Sequence, residues 1–186
     1  MEQEQEVTNV SSIVYSNGDE STDDLLGNLR ELRADAANLF GITKVMEVPG
    51  YLGKLAVEYQ YINAEVTEEI ARSVRRETKN VNGIGTNLLS SLETLIAASK
   101  NVLIRKATTD DWVSIDGREH WPESVTRYVN FRDNMKLANL LDYEAGDSRE
   151  LVLGLYGSEH KVVEANLILS RWLTDKSRTS DEDFLG

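Results

Sequence analysis

The side chains that could do chemistry are few. Only two histidines occur, His120 and His160, and cysteine is absent. Thiolate nucleophiles, disulfides and cysteine-ligated metals are therefore excluded. A zinc or non-haem iron site needs several His or carboxylate ligands converging, commonly from a helical i, i+3 or i+4 pair. Neither histidine has such a neighbour, and the adjacent Glu159 and His160 point apart on a helix. No nucleophile-elbow glycine pattern, phosphate-binding loop or calcium loop is present. The stretch Asn80-Val81-Asn82-Gly83-Ile84-Gly85 is glycine-containing, yet no Lys-Ser/Thr follows and the dinucleotide spacing is missing. Paired carboxylates reflect general acidity: Asp110-Asp111 precedes a turn, and Glu68-Glu69 falls in a helix's first turn, where the macrodipole favours it. An enzyme would require an acidic cleft around Asp110, Glu119 and His120. The residues predict a non-enzymatic domain with no catalytic, cofactor-binding or metal-ligating set.

The formal charge of the 186 residues is −12, a field that repels a phosphate backbone. The densest basic group, Arg72, Arg75, Arg76 and Lys79, is interleaved with Glu68, Glu69 and Glu77. It reads as a solvated helix face, with an anion-binding patch as the alternative. No run approaches the roughly 18 apolar residues of a membrane-spanning helix. The start, Met1-Glu2-Gln3-Glu4-Gln5-Glu6, is the opposite of a signal peptide's basic opening. The expectation is a soluble, cytoplasmic protein without membrane or nucleic-acid partners.

A hydrophobic fraction of 40% is enough for one core. Residues 1–21 are acidic, lack Lys and Arg, and read as a flexible segment. One α+β domain, predominantly helical, is expected over 22–174, and 175–186 reads as a flexible acidic tail.

Within that domain, Leu25, Leu29, Leu32, Ala36 and Leu39 form one helical stripe, either packed on the domain or a seam for a partner helix. Leu55, Val57, Tyr59 and Tyr61 alternate with Lys54, Glu58 and Gln60, and Pro49-Gly50 supplies a turn. A β-hairpin over 43–62 follows. Asn63 caps a helix to about Lys79, with Val66, Ile70, Ala71 and Val74 inward. A second runs from Thr86 to about Ser99, with Leu88, Leu92, Leu95 and Ile96 on one side. Val102-Leu103-Ile104 either extends that helix or begins a strand. Asp116-Gly117 predicts a second β element near 111–129, to which the first hairpin could pair.

The chain is organised around a helical module over 131–173. Phe131, Met135, Ala138 and Leu141 mark its first apolar face. Asp147-Ser148-Arg149-Glu150 starts the next helix, and Gly157 ends it. Ser158 caps the last, with Val162, Ala165, Leu167, Ile168, Trp172 and Leu173 as its apolar set. Trp112, Trp121 and Trp172 are core anchors or, where exposed, interface anchors.

The order of elements carries a resemblance. Val48-Pro49-Gly50-Tyr51 and Ala56-Val57-Glu58-Tyr59 are followed by Leu137-Ala138-Asn139-Leu140-Leu141, Ser148-Arg149-Glu150-Leu151-Val152-Leu153 and Arg171-Trp172-Leu173. The chain closes Asp181-Glu182-Asp183-Phe184-Leu185-Gly186. This run, over most of 25–186, is similar to the tail assembly chaperones of long-tailed phages and prophages of Gram-positive hosts. The resemblance implies a non-enzymatic protein of the host cytoplasm that binds the tape-measure protein, a long and largely helical chain, and keeps it soluble. Tail-tube subunits are a second implied partner, self-association is open, and a longer frameshifted form exists for several members. The rival reading is a structural virion protein, a head–tail connector or tail-completion subunit that forms a ring.

Overall fold

A computed structural model of the chain describes residues 41–80, 84–118 and 128–185, all within the unit spanning Ala37–Gly186. The acidic segment 1–21, the helix expected over 25–39, Asn82-Gly83, and residues 119–127 lie outside the described residues. The fold is α+β and predominantly helical, as expected.

Strands β1 (Thr43–Glu47) and β2 (Leu55–Gln60) form the predicted antiparallel hairpin, with Thr43 opposite Gln60 and Glu47 opposite Ala56. Gly50 takes φ 97°, the conformation that the Pro49-Gly50 order anticipates. Val48 N–H donates to the Leu55 carbonyl at 2.9 Å and closes the loop. Next come β3 (Ser99–Arg105) and β4 (Trp112–Ser114), giving the order β1-β2-β3-β4, all antiparallel. Val102-Leu103-Ile104 is therefore strand. The second β element joins the first hairpin's sheet only through β3, which lies between them.

Alternation predicts one buried and one solvated face for β2. The structure buries both: Glu58 is as inaccessible as Tyr59, each at 0%. As the strand between β1 and β3, β2 exposes neither edge. Asn101, Leu103 and Ser114, from β3 and β4, are buried on the Glu58 face too.

Among the described residues there are five α-helices, which share one core with the other face of the sheet. Asn63 caps α1 (Ala64–Glu77), its Oδ1 accepting from the Val66 N–H at 3.0 Å. Helix α2 (Ile84–Ala98) leads directly into β3. Three helices close the chain: α3 (Asn134–Leu141), α4 (Ser148–Tyr156) and α5 (Glu159–Leu185). Helix α2 packs against α1, β2, α4 and α5, while α3 packs on α4. Leu92 and Leu95 of α2 share one buried core with Val57 and Tyr59 of the sheet and with Leu137, Leu151, Leu155, Val162 and Leu169. Burying a leucine completely contributes about 2 kcal/mol relative to leaving it exposed.

Several expected faces are corrected. In α3, Met135 is 75% exposed, and Leu137 is the fully buried residue. Two positions turn a helix by about 200°, so a stripe on Leu137, Ala138 and Leu141 puts Met135 outside. In α5 the buried stripe is Val162, Ala165 and Leu169, continued by half-buried Trp172 and Leu173. Leu167 and Ile168 fall off that stripe and are exposed. In α1 only Val74 of the four expected inward residues is fully buried. Helix α5 also continues to Leu185, where composition predicts a frayed tail. It meets no Gly or Pro to stop it between Glu159 and Leu185.

Candidate functional site

Of the residues that an acidic catalytic cleft would need, Asp110 alone lies among the described ones. Asp110 sits in a turn at φ 61°, its side chain 80% exposed and 3.6 Å from Arg105. His160 is exposed on α5, while Glu119 and His120 lie outside the described residues. Among the described residues no three His, Asp or Glu side chains converge as metal ligands. Arg72, Arg75 and Arg76 are exposed along α1, and Lys79 is exposed in the 3-10 turn that follows it. Arg75 and Arg76 occupy its last turn, where they suit the helix dipole. Trp112 is half-buried beneath the Arg105 guanidinium, 4.5 Å from its centroid. Trp172 packs at the core's edge, and Trp121 lies outside the described residues.

A polar cluster occupies the second face of the sheet, and a β-bulge builds it. Glu58 pairs with Asn101 and Tyr59 with Ser99, so Lys100 is an extra residue on β3. The bulge re-aims Lys100, whose Nζ donates to Glu58 Oε1 at 3.0 Å. Beside them the Ser114 hydroxyl lies 2.8 Å from Asn101 Oδ1. At the margin, Asp116 accepts from Arg118 Nε at 2.9 Å and Lys136 Nζ at 3.2 Å. These contacts, chiefly that with Arg118, hold the Asp116 carboxyl well below the usual carboxylate range. Glu58, at 0% exposure, cannot reach a solute. The cluster is structural: it joins β2 to β3 and the turn after β4 to α3.

Further polar links join the sheet to the helices and the helices to one another. Tyr59 and Tyr156 hydroxyls lie 2.9 Å apart in the core, bridging β2 and α4. Burial pushes both upward, Tyr156 to about 12. Arg149 on α4 donates to Glu93 on α2 at 2.6 Å and to Glu77 at the end of α1 at 2.8 Å.

The accessible site is the connection between α3 and α4. Asp142 adopts the left-handed conformation at φ 51°, so the Tyr143 N–H returns to the Ala138 carbonyl at 2.9 Å. This is a Schellman ending with aspartate where glycine is usual. Helix α4 then begins on Asp147, whose carboxylate accepts from the Glu150 N–H at 2.9 Å. Glu150 in turn accepts from the Gly146 N–H at 2.7 Å, which fixes the loop. Tyr143 lies across Gly154 of α4, where any Cβ would collide with its hydroxyl.

Two open hollows share Tyr143, Glu144 and Glu150. One, of about 480 Å³, reaches Met135 and Ala138. The other, of about 640 Å³, reaches Leu153, Gly157 and Glu159. Neither is lined by a Lys or Arg. On the β1–β2 loop, burial first and then Tyr143 push the Tyr51 phenol upward. At the loop's tip Leu52 is 92% exposed, at φ 50°. Aliphatic residues rarely hold that conformation, and here the displayed side chain is a leucine.

Sequence reading names none of Tyr51, Leu52, Tyr143 or Gly154 as functional. A glycine in the middle of a helix, Gly154, is the one available signal, since it marks a close approach. No protein family, curated protein or solved structure matches the chain.

Proposed function

We propose that the chain is a non-enzymatic tail assembly chaperone of a long-tailed phage, which binds the tape-measure protein and keeps it soluble until the tail tube forms around it. The order of motifs from Val48-Pro49-Gly50-Tyr51 to Arg171-Trp172-Leu173 supports the family. The observation that carries the binding activity is the set of large apolar side chains left exposed on the helical module. Met135, Leu140, Tyr143, Leu167 and Ile168 are all exposed there, on a chain of net charge −12. A carrier for a long amphipathic chain needs both properties: apolar contacts for the cargo, and charge that keeps the loaded complex dispersed. No described helix is long and apolar enough to cross a membrane.

The test is co-expression with a tape-measure protein of a long-tailed phage, followed by size exclusion with light scattering. A soluble, co-eluting complex is expected, with the partner insoluble when expressed alone. If the partner stays insoluble and the chain assembles into a discrete ring, a connector or tail-completion role replaces this reading.

A further inference from the structure

Resting on the partner-binding reading above, we propose that the two hollows flanking Tyr143 form one seat for an amphipathic helix whose apolar stripe is bordered by Lys or Arg. Three observations argue for this occupant. The walls are apolar where a stripe would lie: Met135, Ala138, Tyr143 and Leu153. Met135, 75% exposed, is the adaptable side chain that suits a binding surface. The charge on the rim has one sign, from Glu144, Glu150 and Glu159, and no cation lines either hollow. Lysines bordering the incoming stripe would meet those carboxylates, whereas an acidic helix would be repelled.

The centre of the seat is Tyr143. It borders both hollows, and Gly154 gives its ring room to lie against α4. A partly exposed tyrosine held against a helix backbone is a preorganised anchor, because its contact area is already fixed before the partner arrives. Gly146 and Gly157, at the two ends, bring backbone rather than side chain to the surface.

The probe is a synthetic helix with a leucine stripe bordered by lysines, titrated by fluorescence anisotropy against the full chain. A second probe carries glutamate at the bordering positions. The lysine probe is expected to bind at least about tenfold tighter, a preference that shrinks as salt screens the rim. Tyr143→Ala should weaken it about tenfold or more. Gly154→Ala favours the helix but displaces the Tyr143 ring, and should weaken binding in the same direction. Both glutamates of the Glu144→Lys/Glu159→Lys variant are exposed, so that variant tests the rim even if Tyr143→Ala misfolds. It should reverse the preference between probes.

Equal binding of the two probes, or variants that bind as the wild type does, would overturn the seat. So would a concentration-dependent dimer abolished by Tyr143→Ala, which would assign the surface to a second copy. Co-expression separates the two readings. If the tape-measure protein is kept soluble by wild type and Glu144→Lys/Glu159→Lys alike, the seat fails and the chaperone reading stands. If wild type leaves it insoluble but prefers the lysine probe, the seat stands and the phage partner is wrong.

Discussion

Tyr59 and Tyr156 show how much one pair of side chains can decide. Their hydroxyls satisfy each other 2.9 Å apart, between strand and helix. Burial is the main cause of their raised ionisation, with Tyr156 reaching about 12. An unfolded tyrosine ionises near pH 10. The folded chain therefore holds these protons longer, so the stability they confer is complete below about pH 10 and lost as pH rises towards 12. Alkaline unfolding should begin in that window, followed by circular dichroism, with the buried phenols ionising as the fold is lost. Tyr59→Phe leaves the Tyr156 hydroxyl without its partner and should cost about 1–3 kcal/mol in urea unfolding. Adding Tyr156→Phe should cost less than the sum of the single changes. Strictly additive losses would show that the hydroxyls are not coupled.

Between elements, the telling residue is Arg149. Its side chain lies 2.8 Å from Glu77 on α1 and 2.6 Å from Glu93 on α2, so three helices meet at one guanidinium. All three side chains are partly exposed, and solvent screening limits what the cluster contributes. Arg149→Met should lower stability by about 1 kcal/mol, read as a shift in the urea midpoint. A cycle with Glu93→Gln should give a coupling energy above zero, and its absence would reduce the cluster to a surface coincidence. Sequence gave no warning of Arg149: it lies 72 residues from Glu77 and 56 from Glu93. By contrast, the element ends carried local signals. Asn63, Asp147 and Gly157 each occupy the capping position that their residue types suggest.

For the molecule as a whole, the net charge of −12 governs behaviour that no single contact does. Self-repulsion opposes the compact state and keeps chains apart. Raising monovalent salt from about 10 to about 150 mM shortens the screening length from roughly 30 to roughly 8 Å. The urea midpoint should therefore rise, and a midpoint that falls would mean that attractive ion pairs outweigh the repulsion. The same salt should weaken a partner attracted to the Glu144–Glu150–Glu159 rim, so fold stability and partner affinity should move in opposite directions.

What the chain's own order determined was local. Period-two alternation, Pro49-Gly50, Asn63 and Asp147 are enough to place a hairpin and the starts of helices, because turn and cap energetics involve residues within four positions. The α+β class and the apolar character of the C-terminal module follow from the same signals. Tertiary structure decided which apolar side chains remain outside. Met135, Leu167 and Ile168 are as apolar as Leu137 and Leu169, and how the helices pack decides which stripe of each is buried. It also decided that Glu58 is buried, because Lys100 comes to it through a bulge in another strand, 42 residues away. Tyr143 on Gly154 belongs to the same class. Contacts between distant segments depend on how whole elements pack, and spacing along the chain does not encode that packing.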